Sequence, residues 1–251
     1  MTVNGKSLVL AIVAAAVVAS LFAAKAIIDL RKRAGQTAAL SAALPKVRRT
    51  PSGEMRLVPY GYTMVDADNL PMQVPAFYID TLEATNGAYG RAGAPAMPIV
   101  NVTFNEARSI CEVAGKRLPN PVEWEKAARG ENGSRWPWGN ADDAGRANVA
   151  GSEAMRAGAK PEGASIYGVE DLIGNVWEWV DDRRTPLPRN IETFAARLTP
   201  PATKDEPWYA ARGGAFDTPL DEALPYKFLV LPARYKAPDL GFRCAWTPRL
   251  E

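Results

Sequence analysis

The sequence contains no histidine and only two cysteines, Cys111 and Cys244, among its 251 residues. The absence of histidine excludes nucleophiles activated by an imidazole, iron or zinc held by histidine ligands, and histidine pH switches. Any chemistry must therefore come from carboxylates, lysine, tyrosine, hydroxyl groups or the two cysteines. These cysteines lie far apart in sequence, so they are either two buried thiols or one long-range disulfide.

A large excess of charge of either sign is also absent, because the formal net charge is only +2. This charge is too small to indicate a nucleic-acid partner, and we expect none. A chain of this length with 47% hydrophobic residues is long enough for one sizeable globular domain and an additional segment.

A long apolar run, SLVLAIVAAAVVASLFAAKAII, occupies residues 7–28 and carries one charge, Lys25. A helix of about 21 residues is roughly 30 Å long, which matches the hydrocarbon core of a bilayer. We therefore predict a short tail at residues 1–6, a transmembrane helix that contacts lipid at residues 7–29, and a basic linker at residues 30–53. The alternative is a cleaved signal peptide, since LFAAKA offers small residues near a cleavage position.

The remaining residues, 54–251, consist of short segments that predict an α+β domain. MRLVPYGYTMV and AFYIDTLEA predict strands. TFNEARSICEVAG predicts a helix that begins at Thr103 or Asn105 and ends at Gly115. NPVEWEKAARG predicts a second helix, with Asn120 as its N-cap and proline as its first residue.

The chain after residue 130 is rich in glycine, proline, tryptophan and asparagine and shows little periodicity. A compact domain with so much irregular structure usually needs a metal or a disulfide to order it.

Several long motifs resemble the formylglycine-generating enzyme family, whose members are also called sulfatase-modifying factors. They are FYIDTLEATNGAY, GKRLPNPVEWEKAARG, WPWGN, YGVEDLIGNVWEWVDD, ARGGAF and LGFRCAW, and they follow one another in the family's order. The resemblance covers roughly residues 54–248. It implies an irregular α+β fold related to C-type lectins, with little regular secondary structure.

In LIGNVWEWVDD a single carboxylate, Glu178, lies between two tryptophans, and burying it is costly without a partner. The resemblance implies a structural calcium ion here, because calcium prefers carboxylate and carbonyl oxygens. Its ligands would be Asp171, Gly174, Val176 and Glu178. The alternative is that Glu178 accepts backbone or indole N–H groups without a metal. A second calcium site at Asn148 and Val149 is doubtful, because the acidic segment that should complete it is shortened.

The resemblance also implies that Cys111 and Cys244 are bonded to each other, as in family members with cysteines at both places. A disulfide favours an oxidising compartment, so we expect the domain to be periplasmic or extracellular. Arg31, Lys32 and Arg33 after the apolar run favour the cytoplasmic side, but this is a statistical bias that long domains often override.

The family's formylglycine-forming enzymes bind copper(I) through two cysteines after the Gly-Gly motif, and these positions are Thr218 and Ala223 here. Neither residue offers a thiolate, which is the ligand that copper(I) prefers. A related branch uses iron held by three histidines, which this chain lacks. We therefore expect calcium but neither copper nor iron.

Two functions follow from this interpretation. The first is a catalytically inactive, membrane-anchored structural or binding subunit of a membrane protein complex. The alternative is an enzyme of altered chemistry that acts on a peptide or small molecule in the family cleft. Its candidate residues are Arg212, Asp217, Arg234 and Tyr235, together with the neighbouring acids Asp221 and Glu222, which a solvated acidic loop would also explain.

Overall fold

The computed structural model describes the chain from residue 5 to residue 249, and its side chains at residue 20 and from residue 22 onward. The chain divides into two compact units, Met1–Ala43 and Leu44–Arg249. The first unit contains one long helix, α1 (Gly5–Ala42). This helix continues into the predicted linker because RKRAGQTAALSA consists mainly of strong helix formers.

The structure does not describe the side chains of residues 1–19 and 21. The side chains of the tail at residues 1–6 and of more than half of the predicted transmembrane segment, residues 7–29, therefore lie outside the described part. Within the described part, no helix is long and apolar enough to cross a bilayer. This finding corrects the prediction of a single-pass membrane localisation. The physical reason is that the described portion of α1 soon becomes charged, at Lys25, Asp29, Arg31, Lys32 and Arg33.

The second unit contains short elements joined by long loops. Its first half holds β1 (Val47–Thr50), β2 (Gly53–Val58), β3 (Gly61–Val65), β4 (Leu70–Val74), β5 (Phe77–Asp80), α2 (Phe104–Val113) and α3 (Pro121–Arg129). Its second half holds β6 (Trp177–Arg183), α4 (Pro188–Ala195), β7 (Trp208–Arg212), β8 (Phe228–Pro232), β9 (Leu240–Phe242) and β10 (Ala245–Trp246).

Two four-stranded sheets and one hairpin organise these strands. The first sheet has the order β1-β2-β5-β10 and is antiparallel throughout. The second has the order β8-β7-β6-β9, in which β6 and β9 are parallel. Strands β3 and β4 form the separate hairpin. The predicted mixed α+β class is therefore confirmed.

Both predicted helices begin at capped positions. The Thr103 side chain accepts from the Glu106 backbone N–H, and the Glu106 side chain accepts from the N–H of Thr103, which completes a capping box. Asn120 and Glu123 form the same arrangement before α3, with proline at its first position. These caps satisfy backbone donors that the helix itself leaves unpaired.

The loop-rich stretch of residues 130–176 contains two single 3-10 turns, Ala144–Arg146 and Pro161–Gly163. Within this described stretch there is no α-helix and no strand beyond isolated bridges. The sequence predicted this irregularity, because glycine and proline interrupt any periodic pattern.

A disulfide joins Cys111 on α2 to Cys244 between β9 and β10, and the two Cα atoms are 5.6 Å apart. This confirms the predicted pairing. Both cysteines are fully buried in the largest hydrophobic cluster, beside Phe104, Trp179 and Phe242. The disulfide therefore connects the helical layer to the last strands through the centre of the core.

Lys126 on α3 is a buried cation whose ammonium donates to the Pro59 carbonyl over 2.7 Å. Burial lowers the pKa of this amine to about 8, and Glu131 opposes the shift only in part. Between about pH 8 and pH 10 the unfolded chain then binds more protons at this lysine than the folded chain does, so raising the pH favours folding.

We expect the free energy of unfolding of the wild type to rise relative to that of Lys126→Met as the pH goes from about 8 to about 10. Urea unfolding of both proteins across this range is the measurement. The comparison cancels other groups that titrate in the same range. Parallel pH profiles for the two proteins would show that the Lys126 pKa is not lowered.

Candidate functional site

Glu178 on β6 faces a cation, which answers the question raised by its burial between two tryptophans. Arg243 donates from Nε to Oε2 over 2.8 Å and from Nη2 to Oε1 over 2.6 Å. The indole Nε1 of Trp124 donates to Oε2 over 2.6 Å. Burial opposes the charge on Arg243, but the Glu178 carboxylate keeps the pKa of the guanidinium above its ordinary value. Arg243 is therefore charged, and both side chains are buried.

Two further acids, Glu83 and Asp171, lie near this pair. Glu83 accepts from Asn175 Nδ2 over 2.6 Å and from the Val176 backbone N–H over 3.2 Å. Burial, with the nearby Asp171 and Glu178 charges, raises the pKa of the Glu83 carboxyl well above its usual range. Burial also raises the pKa of Asp171 to about 6. The sequence analysis missed Glu83, because only the fold brings residues 83 and 178 together.

The predicted calcium ligands find no support in this geometry. Both Glu178 oxygens already accept strong donors, and Asp171 Oδ2 accepts the Gly158 backbone N–H over 2.6 Å. Among the described residues there is no group of three or more histidine, cysteine or acidic side chains able to hold a metal ion. Arg243 thus gives Glu178 a positively charged partner without a metal, and the calcium ligand set stays a prediction.

The predicted second site stays a prediction, and the amide nitrogen of Asn148 makes internal hydrogen bonds there. Asn148 Nδ2 donates to Asn175 Oδ1 over 2.9 Å and to the Glu153 carbonyl over 3.1 Å. Val149 packs against a small hydrophobic cluster that includes Trp136 and Ala223. These contacts tie the loop at residue 148 to the segment before β6.

Thr218 and Ala223 lie next to each other beside the Gly-Gly motif that follows β7. A Cβ at Gly214 would come within 2.9 Å of the Ala223 Cβ and 3.3 Å of the Thr218 Cβ, and this glycine has φ +80°. Both positions therefore adjoin Gly214. Their correspondence to the copper-binding cysteines of the resemblance stays a prediction.

A cavity of about 380 Å³ opens at Thr218. Its lining residues combine aromatic and ionisable side chains: Trp177, Thr218, Glu222, Tyr226, Lys227, Phe228 and Leu229. We refer to it as the Thr218 cleft. The Ala215 N–H donates to Thr218 Oγ1 over 3.0 Å, which leaves the hydroxyl hydrogen free to donate to a bound molecule.

Buried apolar side chains and one hydrogen bond fix the turn at residues 219–226, which carries polar side chains of the Thr218 cleft. Leu220, Ala223 and Leu224 are buried, and Tyr226 packs against them. Arg212 Nη1 donates to the Pro225 carbonyl over 2.8 Å. Arg212 is thus a positioning residue for this turn.

The other residues proposed for the cleft are not brought together there. Arg234 Nε donates to Glu206 Oε2 over 2.7 Å, and the Tyr235 ring packs 4.8 Å from that of Phe194. Asp217 and Asp221 are exposed. Of the predicted acids, only Glu222 lines the cleft. Lys227 and Tyr226 were missed, because nothing local in PYKF separates cleft residues from ordinary loop residues.

A family model for the sulfatase-modifying factor enzyme 1-like domain matches residues 90–248. The chain belongs to this family. The motifs of the sequence analysis lie mainly inside this range, and the match agrees with the mixed α+β fold.

Curated relatives of the chain include both active and inactive proteins. The hercynine oxygenase of Mycolicibacterium smegmatis is 36% identical over 47% of this chain and 30% of its own. The formylglycine-generating enzyme of Thermomonospora curvata is 32% identical over 61% of this chain and 57% of its own. The inactive C-alpha-formylglycine-generating enzyme 2 of Bos taurus is 32% identical over 59% and 50%. The chain thus spans about a third to somewhat over half of the length of these relatives.

Solved structures share the fold. Treponema denticola variable protein 1 aligns with a TM-score of 0.62 and 19% identity, over 78% of this chain and 95% of its own. PvdO from Pseudomonas aeruginosa aligns with a TM-score of 0.62 and 17% identity, over 82% and 99%. At these identities the likeness concerns the fold alone.

These relatives correct two predictions. The prediction that the chain is not an enzyme is wrong, because several relatives are hercynine oxygenases, which are enzymes of the same family. The prediction of neither copper nor iron conflicts with these relatives as well, since hercynine oxygenases are iron-dependent and formylglycine-generating enzymes are linked to copper. The physical reason is that the missing cysteine pair and the absence of histidine argue against two particular metal sites and not against every chemistry that the family's fold can support. The role as an accessory subunit of a membrane complex finds no support.

Proposed function

We propose that the chain is an enzyme of altered chemistry that acts on a peptide or small molecule held in the Thr218 cleft. The observation that carries this proposal is the cavity of about 380 Å³ at Thr218, lined by a carboxylate, an amine, a phenol and a hydroxyl. Concave sites of about 300–1,000 Å³ with a few convergent polar groups are typical of small-molecule binding. The active relatives support an enzymatic role.

The lining side chains divide into two kinds. The rings of Trp177, Tyr226 and Phe228 offer apolar faces against which a flat or aliphatic group can pack. Glu222 and Lys227 offer groups that can accept and donate a proton. Thr218 donates its hydroxyl hydrogen to an acceptor on the bound molecule. The cleft can therefore bind, orient and exchange protons with a substrate.

The donor set of the cleft does not match the metal sites of the relatives. Copper(I) would need soft thiolate ligands, but both cysteines are bonded to each other in the core. A three-histidine iron site would need imidazoles that the sequence lacks. Glu222 is the single carboxylate of the lining. We therefore assign no step of the reaction to a metal.

Glu222→Gln is expected to lower turnover by about a hundredfold, because the amide keeps the shape of the carboxylate but cannot accept a proton. The assay incubates purified full-length chain with a cysteine-containing peptide, with hercynine plus a thiol, and with a metabolite extract. Mass spectrometry then follows which molecules are consumed over time.

Glu192→Gln is the matched control, because Glu192 is an exposed residue of α4 outside the cleft lining. We expect it to react at the wild-type rate. Equal consumption of every molecule by the wild type and Glu222→Gln, or none by either, would refute the proposed function.

A further inference from the structure

A second cavity, of about 410 Å³, opens where β2 begins and β5 ends, and it shares no lining residue with the Thr218 cleft. We refer to it as the Thr81 cavity. Its lining combines charged groups of both signs with apolar side chains, and it includes Arg56, Thr81, Leu82, Tyr89, Arg156 and Glu170. No function assigned above uses this cavity.

The register of the sheet places two of these side chains close together. Arg56 pairs with Ile79 and Met55 pairs with Asp80 in the antiparallel ladder, and the Thr81 N–H donates to the Glu54 carbonyl over 3.0 Å. Residues two apart on a strand share one face, so Arg56 and Thr81 are diagonal neighbours on the same face. Both side chains reach the cavity from this face.

Both side chains have a buried polar atom without a hydrogen-bond partner among the described residues. These atoms are Thr81 Oγ1 and Arg56 Nε, and the Thr81 residue is only 8% exposed. A buried donor without an acceptor costs about 1–3 kcal/mol, so such groups are rare unless something binds them. Because both residues line one cavity, an acceptor group of a ligand can reach them there.

Three of the four acidic lining residues that could compete for these donors already have partners, and the fourth is Glu170. Asp80 accepts from Lys116 Nζ over 2.6 Å, from the Tyr89 hydroxyl over 2.7 Å and from the Cys244 N–H over 3.0 Å. Glu83 accepts from Asn175 and Val176, as described above. Glu54 lies 3.3 Å from Arg49 and 3.9 Å from Arg56. A negatively charged acceptor therefore does not face an excess of unpaired carboxylates.

We propose that the Thr81 cavity binds a small carboxylic acid that carries a hydroxyl or ammonium group and an aliphatic side chain. The carboxylate accepts from Arg56 Nε and Thr81 Oγ1, an arrangement that gives charge-assisted hydrogen bonds. The hydroxyl or ammonium group donates to the Glu170 carboxylate. The aliphatic part packs against Leu82 and Ala157, which also line the cavity. This binding is independent of the reaction proposed for the Thr218 cleft.

The test is a ligand titration followed by saturation-transfer NMR on the purified full-length chain. The probes are L-leucine, leucic acid, isocaproate and L-leucinamide, which share one aliphatic skeleton. Leucine or leucic acid is expected to bind at least tenfold more tightly than isocaproate, which lacks the second polar group, and than leucinamide, which lacks the carboxylate. The better binder of the two identifies the ligand as an amino acid or a hydroxy acid.

Thr81→Val is expected to weaken binding of the better probe about tenfold, since one hydrogen bond to a charged group is lost. The same substitution removes a hydroxyl that has no partner among the described residues, so urea unfolding should show no loss of stability. Arg56→Gln is expected to weaken binding further. Thr218→Val, the same change in the other cavity, should alter the affinity less than about twofold.

Failure of every probe to bind, equal affinity for isocaproate or leucinamide, or unchanged affinity in Thr81→Val would each overturn the proposal. None of these outcomes bears on the Glu222→Gln assay, so the two proposals can fail separately.

Discussion

Glu178→Gln is expected to lower the free energy of unfolding by about 3–5 kcal/mol near neutral pH, measured by urea denaturation. The substitution keeps the size of the side chain and removes its charge. Arg243, which has no solvent exposure, then remains buried as a cation without its bidentate partner. The cost comes mainly from this uncompensated charge and only in part from the lost hydrogen bonds.

An exposed pair provides the matched control. Arg108 and Glu112 on α2 lie 3.7 Å apart, and their side chains are 47% and 60% exposed. Glu112→Gln should change the free energy of unfolding by less than about 0.5 kcal/mol, because water screens this pair. The double substitution Glu178→Leu with Arg243→Met should recover part of the loss, since it buries no charge. Equal effects of Glu178→Gln and Glu112→Gln would show that Glu178 does not face a buried cation.

The parts of the fold that the sequence predicted are those with local causes. The caps of α2 and α3 depend on residues three positions apart, so they are visible in the sequence. The irregular stretch after α3 follows from its glycine and proline content. The motif order predicted the family and the pairing of Cys111 with Cys244, which a single sequence without the resemblance leaves open.

The parts that the sequence did not predict depend on contacts between distant residues. The partner of Glu178 is Arg243, 65 positions away, and nothing in GFRC shows that its arginine is buried against a carboxylate. Similarly, the Thr218 cleft takes Trp177 from the start of β6 and Glu222, Tyr226 and Lys227 from a loop. Only the sheet order brings these residues together.

Removing the disulfide is expected to lower the free energy of unfolding by about 4–5 kcal/mol. Cys111 and Cys244 are 133 positions apart, so the bond closes most of the second unit into one loop and restricts the unfolded chain strongly. A domain of ordinary stability has a free energy of unfolding of about 5–15 kcal/mol, so the reduced protein should be only marginally stable. Urea denaturation of the oxidised protein with and without a reductant is the measurement.

The double variant Cys111→Ala and Cys244→Ala separates the cross-link from packing. Both sulfur atoms lie in the fully buried core, so the variant loses their contacts as well as the bond, and it should be less stable than the reduced wild type. Adding a reductant to this variant should have no effect. The loop that the disulfide closes contains the irregular stretch and the Thr218 cleft. Breaking the disulfide should therefore also make the turn that carries Glu222 more mobile and lower turnover. An identical urea midpoint for the oxidised and reduced wild type would show that packing alone holds this long, irregular chain in place.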